Sequence, residues 1–222
     1  MKFVAFETST EWCSAALWLD GEIVAVEERA GQRHAELLLP MMEGLLHRQG
    51  LDISRLDAVA FGAGPGSFTG LRIACGVAQG IALARGLPVI GISTLQALAE
   101  ESGAARVVAC LDARMREVYY SAHERQAGRW REVSAAQCVA PEALSKPAGE
   151  NWIGCGNGFA VYGNIFRRLF SSMKPGIHPT APAVARLAAP RLAAGEGVDA
   201  ALAVPVYVRD KVAYTAEERR AG

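Results

Sequence analysis

The chain is short of most features that would assign it to a class at once. Its five cysteines (Cys13, Cys75, Cys110, Cys138 and Cys155) are odd in number and scattered, with no C-x-x-C pair. That spacing argues against a disulfide framework or a zinc site and for reduced thiols in a reducing compartment. No apolar run is long enough to cross a bilayer. The best, Ile73 to Ala84, is 12 residues between Arg72 and Arg85, where a span needs about 20. A signal-peptide layout is also missing from the first residues, so the expectation is a cytoplasmic protein with no membrane role. There is no charge excess either: 23 basic residues balance 23 acidic ones. A protein that grips nucleic acid alone usually carries a basic face. The balance is uneven along the chain, with 7 basic and 12 acidic groups in residues 1–105 and 16 and 11 in the rest. What the chain does have is apolar residues, 51% of its 222. That is enough for one large or two small cores and leaves little room for long disorder.

The pattern of elements follows from short apolar runs and their turns. Residues 2–7 and 12–19 read as strands joined by Thr8-Ser9-Thr10-Glu11, and Asp20-Gly21 leads to a third strand over Glu22–Arg29. Two tight turns between apolar runs predict an antiparallel meander. A helix follows from His34 to Gln49, stopped by Gly50. Then come a strand at Leu56–Gly62, a glycine-rich loop, a helix at Thr69–Ala84, a strand at Leu87–Ile92, and a helix capped by Ser93 or Thr94 running to Glu101. Residues 106–111, a turn at Asp112-Ala113-Arg114, and residues 117–123 begin the order again, with a third strand at Gly128–Val133. A short strand at 151–154, a helix at Phe159–Phe170 and a helix at Thr180–Gly195, kinked or cut short by Pro190, complete the second half. This is the order of two RNase H-like units of the actin/sugar-kinase type. Each is an α/β unit with a mixed sheet, a three-strand antiparallel meander plus parallel strands, flanked by helices. The expected boundaries are 1–104 for the first unit and 105–195 for a smaller, degenerate second one, with 196–222 returning to the first.

Three loops are candidates for chemistry. The first turn, with Thr8, Ser9 and Thr10, offers hydroxyls and backbone N–H groups to a phosphate. The stretch GPGSFTGLR (residues 64–72) leads straight into a helix, and Gly64, Gly66, Ser67 and Thr69 suit either an anion loop or a tight structural turn. No Gly-Lys-Ser/Thr follows, so it is not a Walker loop. The equivalent second turn, residues 112–116, has no glycine and carries two arginines, so one jaw of a nucleotide clamp is missing. Gly154-x-Gly156-x-Gly158 lacks a full dinucleotide fingerprint and reads as a turn. His34 and His47 are not an i, i+4 pair, and His123 and His178 stand alone; capping or surface positions fit them better than metal ligation. No G-x-S-x-G elbow occurs, so no catalytic residue and no metal site is expected.

Two helices carry more apolar or small surface than one buried stripe needs. In the first, Leu38, Met41, Met42 and Leu45 are among residues covering most of the circumference. In the second, Ala74, Gly76, Val77 and Gly80 offer an edge on which another helix could lie closely. These eight residues are the candidate partner interface, alongside the simpler reading that both helices are sandwiched within the domain.

The segments FETSTEWCSAAL, HAELLLP, GPGSFTGLR, GISTLQALA, LDARMREVYY and PVYVRDKVA, in that order across nearly the whole chain, resemble the TsaB (YeaZ) family. Actin-type folds usually carry an aspartate where this chain has Glu7. The resemblance implies a non-catalytic scaffold or activator of tRNA threonylcarbamoyladenosine modification at the adenosine beside the anticodon. It implies a heterodimer with the paralogue TsaD, whose metal-binding H-x-x-x-H helix is missing here, and a ternary complex with the ATPase TsaE. Further expectations are a homodimer when alone, tRNA contact only through the complex, no tightly bound cofactor, and ATP or ADP at the boundary with TsaD. Two other readings stay open: a stand-alone kinase or ATPase using Thr8–Thr10 and Ser67–Thr69, and a glycoprotease-like peptidase.

Overall fold

The computed structural model describes residues 1–209. Two five-stranded mixed sheets of the same topology are built in succession. The first has β1 (Lys2–Glu7), β2 (Trp12–Leu19), β3 (Glu22–Arg29), β4 (Ala58–Gly64) and β5 (Val89–Ser93), in the spatial order β3-β2-β1-β4-β5. β1 to β3 form the antiparallel meander, with Phe6 opposite Ala15. β4 lies parallel to β1, with Phe3 opposite Ala58, and β5 lies parallel to β4. The second has β6 (Arg106–Asp112), β7 (Val118–Gln126), β8 (Arg129–Val139), β9 (Ile153–Cys155) and β10 (Met173–Lys174), in the order β10-β9-β6-β7-β8. The fold is thus the expected α/β class of two actin/RNase H-like units.

Period-2 alternation gives β1, β2, β4 and β5 two buried faces, while the edge strand β3 is mostly exposed. Val4, Phe6, Ala15, Leu17, Val59 and Phe61 pack against α1 (His34–Arg48) and α2 (Phe68–Arg85). Phe3, Ala5, Ala16, Ala60, Ile90 and Ile92 face α6 (Ala181–Ala193). That helix buries Ala181, Ala183, Ala185, Ala188 and Ala189, small residues that let it lie close to the strands. Its seat on the first sheet corrects the expected boundary. The chain returns at α6, before residue 196, because the alanine face fits the first sheet. Residues 210–222 of the expected returning segment lie outside the described residues.

α3 (Thr94–Glu101) lies between the lobes. It is capped by Ser93, whose Oγ accepts the Gln96 N–H at 3.3 Å. Leu95, Leu98 and Ala99 pack on Val107, Ala109 and Leu111 of the second sheet, while Ala97 belongs to the core beneath α6. Two expectations fail in detail. Residues 159–170 form two short turns, α4 (Asn157–Val161) and α5 (Gly163–Phe166), rather than one helix. The break lets Phe159, Phe166 and Phe170 fold onto one another, with ring centroids 4.9 and 5.1 Å from Phe159. Pro190 does not end α6, which runs on to Ala193.

Candidate functional site

A cleft of about 760 Å³ opens between the lobes. Its first wall is the turn after β1 and the glycine motif, which pack directly on each other. The Ser67 N–H donates to the Ser9 carbonyl at 2.8 Å, and the Thr8 hydroxyl donates to the Gly70 carbonyl at 2.8 Å. A Cβ on Gly66 would stand 2.6 Å from Ser9 Cβ, and one on Gly70 only 1.9 Å from the Thr8 carbonyl oxygen. Gly64 meets the Val206 carbonyl in the same way, at 2.6 Å. The motif's glycines are therefore required by close approach of one loop to another, which favours the structural alternative at this stretch. Ser67 caps α2 by accepting the Gly70 N–H at 3.3 Å. Of the residues expected to meet a phosphate, Ser9, Thr10, Gly66, Ser67 and Thr69 line the cleft. Thr8 and Gly64 are buried behind it.

Glu7 is fully buried, and burial pushes its carboxyl above the ordinary range. One carboxyl oxygen accepts the Ser9 N–H at 2.7 Å, while the other has no partner. It presses on Gly62, where an added Cβ would lie 2.0 Å from Oε2. An acid held this way is turned into the fold and away from the cleft.

The opposite wall is the second turn. Arg114, Met115 and Arg116 are all left-handed, with φ of 60, 54 and 56°, a costly arrangement for three successive residues bearing side chains. Asp112 steadies its start by accepting the Arg114 N–H at 3.1 Å. Among the described residues the fixed charges lining the cleft are Glu11, Asp112, Arg114 and Arg209, two of each sign, so these present polyphosphate with no net positive wall. His34, also on the wall, has Nε2 2.9 Å from the Thr10 carbonyl and pins the first turn. The Gly154-x-Gly156-x-Gly158 glycines fit around Phe159, the Cys110 carbonyl and the Cys110 sulfur, and so belong to the second core.

Among the described residues no group of three potential metal ligands comes together, and no helix is long and apolar enough to cross a membrane. One pair escaped sequence reasoning. Ser121 Oγ and His123 Nε2 lie 2.7 Å apart on β7, fully buried. Their i, i+2 spacing on a strand signals one shared face. Neither lines the cleft, and among the described residues His123 Nδ1 has no partner. Burial depresses the imidazole to about 4, so it is a core histidine rather than the surface or capping residue expected.

The helical candidates separate into two sets. Leu38, Met41, Met42, Leu45 and Ala74 are core residues facing the sheet, as in the simpler of the two readings, with the helices sandwiched within the domain, and not at a free partner interface. The inner stripe of α1 recurs at His34, Leu38, Met41, Met42, Leu45 and Leu46, a 3.6-residue rhythm that accounts for them. Gly76 and Gly80 are exposed, with nothing within 4 Å of an added Cβ, and Val77 is half-buried between them. Leu83, 75% exposed, continues this stripe by one turn, and Leu39, 42% exposed, sits on the outer face of α1. Leu83 was missed: the Gly76–Gly80 spacing of four leads to Ala84, and Leu83 lies beside it, three residues beyond Gly80. Pro40 lies beside Leu39 on that outer face; lacking an N–H, it leaves the Glu36 carbonyl without its helical donor.

Comparison with known proteins gives the same grouping. The family model described as "TsaD: tRNA N6-adenosine threonylcarbamoyltransferase" matches residues 25–217. The tRNA threonylcarbamoyladenosine biosynthesis protein TsaB of Escherichia coli K12 is 36% identical over 225 residues, 96% of this chain and 97% of the relative. The Haemophilus influenzae protein of the same name is also 36% identical, over 96% of each. A solved structure of YeaZ from Pseudomonas aeruginosa superposes with a TM-score of 0.89 at 40% identity, covering 93% of this chain and 99% of that one. By sequence along nearly its whole length and by fold, this chain belongs to the TsaB (YeaZ) family.

Proposed function

We propose that the chain serves the biosynthesis of threonylcarbamoyladenosine in tRNA as a non-catalytic subunit, and that it does so by presenting the outer face of α1 and α2 to TsaD. The observation that carries this reading is the pair Gly76 and Gly80. Both lie in the interior of an 18-residue helix with open space where a side chain would fit. Glycine in a helix interior is destabilising by roughly 0.5–1 kcal/mol relative to alanine. Among the described residues nothing requires it at either position. A second helix lying against α2 would, because only glycine lets two backbones approach so closely. Leu83, Val77 and Leu39 supply apolar contact along the same face. The match of this chain to the TsaD model supports a partner of related fold, whose own helices could pack in a near-symmetric arrangement. The same face explains a homodimer when the partner is absent.

The cleft supports the non-catalytic part of the reading. Its glycines are occupied by loop packing, its buried acid is turned inward, and its lining charges cancel. In this account the chain itself holds no tightly bound cofactor. ATP or ADP sits at the boundary with TsaD, TsaE joins in an ATP-dependent ternary complex, and tRNA is met through the assembly. The test is reconstitution of threonylcarbamoyladenosine formation from purified TsaD, TsaE and this chain, supplied with tRNA, ATP and a threonylcarbamoyl donor. Omitting the chain should abolish turnover, and Gly80→Glu should act as an omission while leaving the fold intact. Full turnover without the chain, or nucleotide hydrolysis by the chain alone, contradicts the proposal.

A further inference from the structure

The residues from Ala203 to Arg209 form no helix or strand, yet Ala203, Val206, Tyr207 and Arg209 are each anchored by hydrogen bonds. Their first anchors are on the first lobe. Gln79 Nε2 donates to the Ala203 carbonyl at 2.8 Å, and Cys75 Sγ approaches the same oxygen at 3.4 Å. The Val206 N–H donates to the Ala63 carbonyl at 2.7 Å. Tyr207 accepts the Arg72 Nε–H at 3.0 Å, and its ring packs on Phe68 at 5.6 Å. Two residues later the chain has crossed to the second lobe. Arg209 donates to the Ala113 carbonyl at 2.9 Å and to the Glu117 carboxylate at 2.5 Å. Its guanidinium stands 5.6 Å from the Tyr119 ring centroid, and only 11% of the side chain remains exposed.

We propose that Ala203–Arg209 is a strap that ties the two lobes together across the cleft, with Arg209 acting as an internal ligand of the second turn. The strap gives the cleft side its own tie between the lobes. The lobes already share a buried joint at α3, through Leu95, Leu98 and Ala99. One joint alone permits the lobes to rock about it, whereas a second attachment on the cleft side fixes their angle. The turn that Arg209 holds also needs holding. Its three left-handed residues persist only where surrounding contacts over-determine them, and the guanidinium bridges its two ends, Ala113 and Glu117. The cleft is thereby set at one opening by the chain itself, in the way a bound ligand sets the opening of a two-lobed protein. This inference does not depend on any partner.

Native-state amide exchange on the full chain tests it, comparing wild type with Arg209→Ala and Arg209→Lys. Arg209→Ala should raise exchange at least tenfold in the amides of residues 113–119 and 204–208, with the amides of α3 and β6 unchanged. Arg209→Lys keeps the charge but loses the two-ended bridge, and should fall between. Nitroxide labels at positions 85 and 129, one on each lobe, should show a broader distance distribution in Arg209→Ala than in wild type. Exchange within twofold of wild type at 113–119, or a rise spread uniformly over the chain, overturns the strap. If Arg209→Ala does not fold, Glu117→Gln loosens the same ion pair from the opposite lobe. It carries the same expectation, and unchanged local exchange in that variant overturns the proposal equally.

Discussion

Glycine-to-alanine substitution should have opposite signs at Gly70 and at Gly76 or Gly80. At Gly70 the new Cβ would stand 1.9 Å from the Thr8 carbonyl oxygen, more than 1 Å inside ordinary contact. The first turn and the glycine motif must then part. Separation loses the Thr8–Gly70 and Ser67–Ser9 hydrogen bonds, both 2.8 Å, at about 1 kcal/mol each. Residual overpacking adds about 1–3 kcal/mol, while the better helix propensity of alanine returns up to about 1 kcal/mol. The net loss is about 2–4 kcal/mol, or roughly 5–15 °C in Tm for a chain of this size. At Gly76 and Gly80 an added Cβ meets nothing within 4 Å, so only propensity acts and each alanine should stabilise by about 0.5–1 kcal/mol. Thermal and urea unfolding of the three single variants measure this directly. A Gly70→Ala loss under 1 kcal/mol, or a loss at Gly76 or Gly80 in the chain kept dilute enough to be monomeric, would refute the division between glycines required by the fold and glycines open to a partner.

Three further outcomes follow from buried groups. His123 falls from an ordinary 6.5 to about 4 in the fold, so its contribution is fully present above pH 6.5 and is lost as pH drops toward 4. At about 1.4 kcal/mol per pH unit the loss is about 3 kcal/mol, and urea unfolding of His123→Gln should lack that part of the acid slope. Burial raises the Glu7 pKa, so folding favours its protonated form and stability falls as pH rises through that value. Glu7→Gln should therefore exceed wild type at pH 8, with the difference vanishing at pH 4; a less stable variant at pH 8 would show that the carboxylate is needed in its charged form. Burial pushes the thiols of Cys13, to about 12, and of Cys110 and Cys155 upward. A thiol reagent at pH 8 should label none of the three in the native chain within the time that labels all of them in urea.

The elements that could be read from the sequence are those that local chemistry decides. The meander came from two polar turns between alternating apolar runs, and its three strands match residue for residue. The start of α3 followed from Ser93, one of the two caps read from the sequence. The aromatic helix at 159–170 was misjudged because its periodicity served three rings that fold on each other across a break. α6 was assigned to the wrong unit because an alanine face fits any sheet; which sheet it meets is a long-range matter of topology. The same limit applied to Leu38 and Met41. An apolar excess on a helix reveals that two faces are covered, but only the fold divides inner from outer. Arg209 could not be found at all, since its partners Ala113 and Glu117 are more than ninety residues away in sequence.

The central claim is tested most directly by light scattering after size exclusion, on this chain alone, with TsaD, and with Gly80→Glu in place of the wild type. A one-to-one complex with TsaD that the substitution abolishes, with thermal stability retained, is the predicted result. A complex that forms equally well with Gly80→Glu would place the contact elsewhere and contradict the reading of the α1 and α2 face.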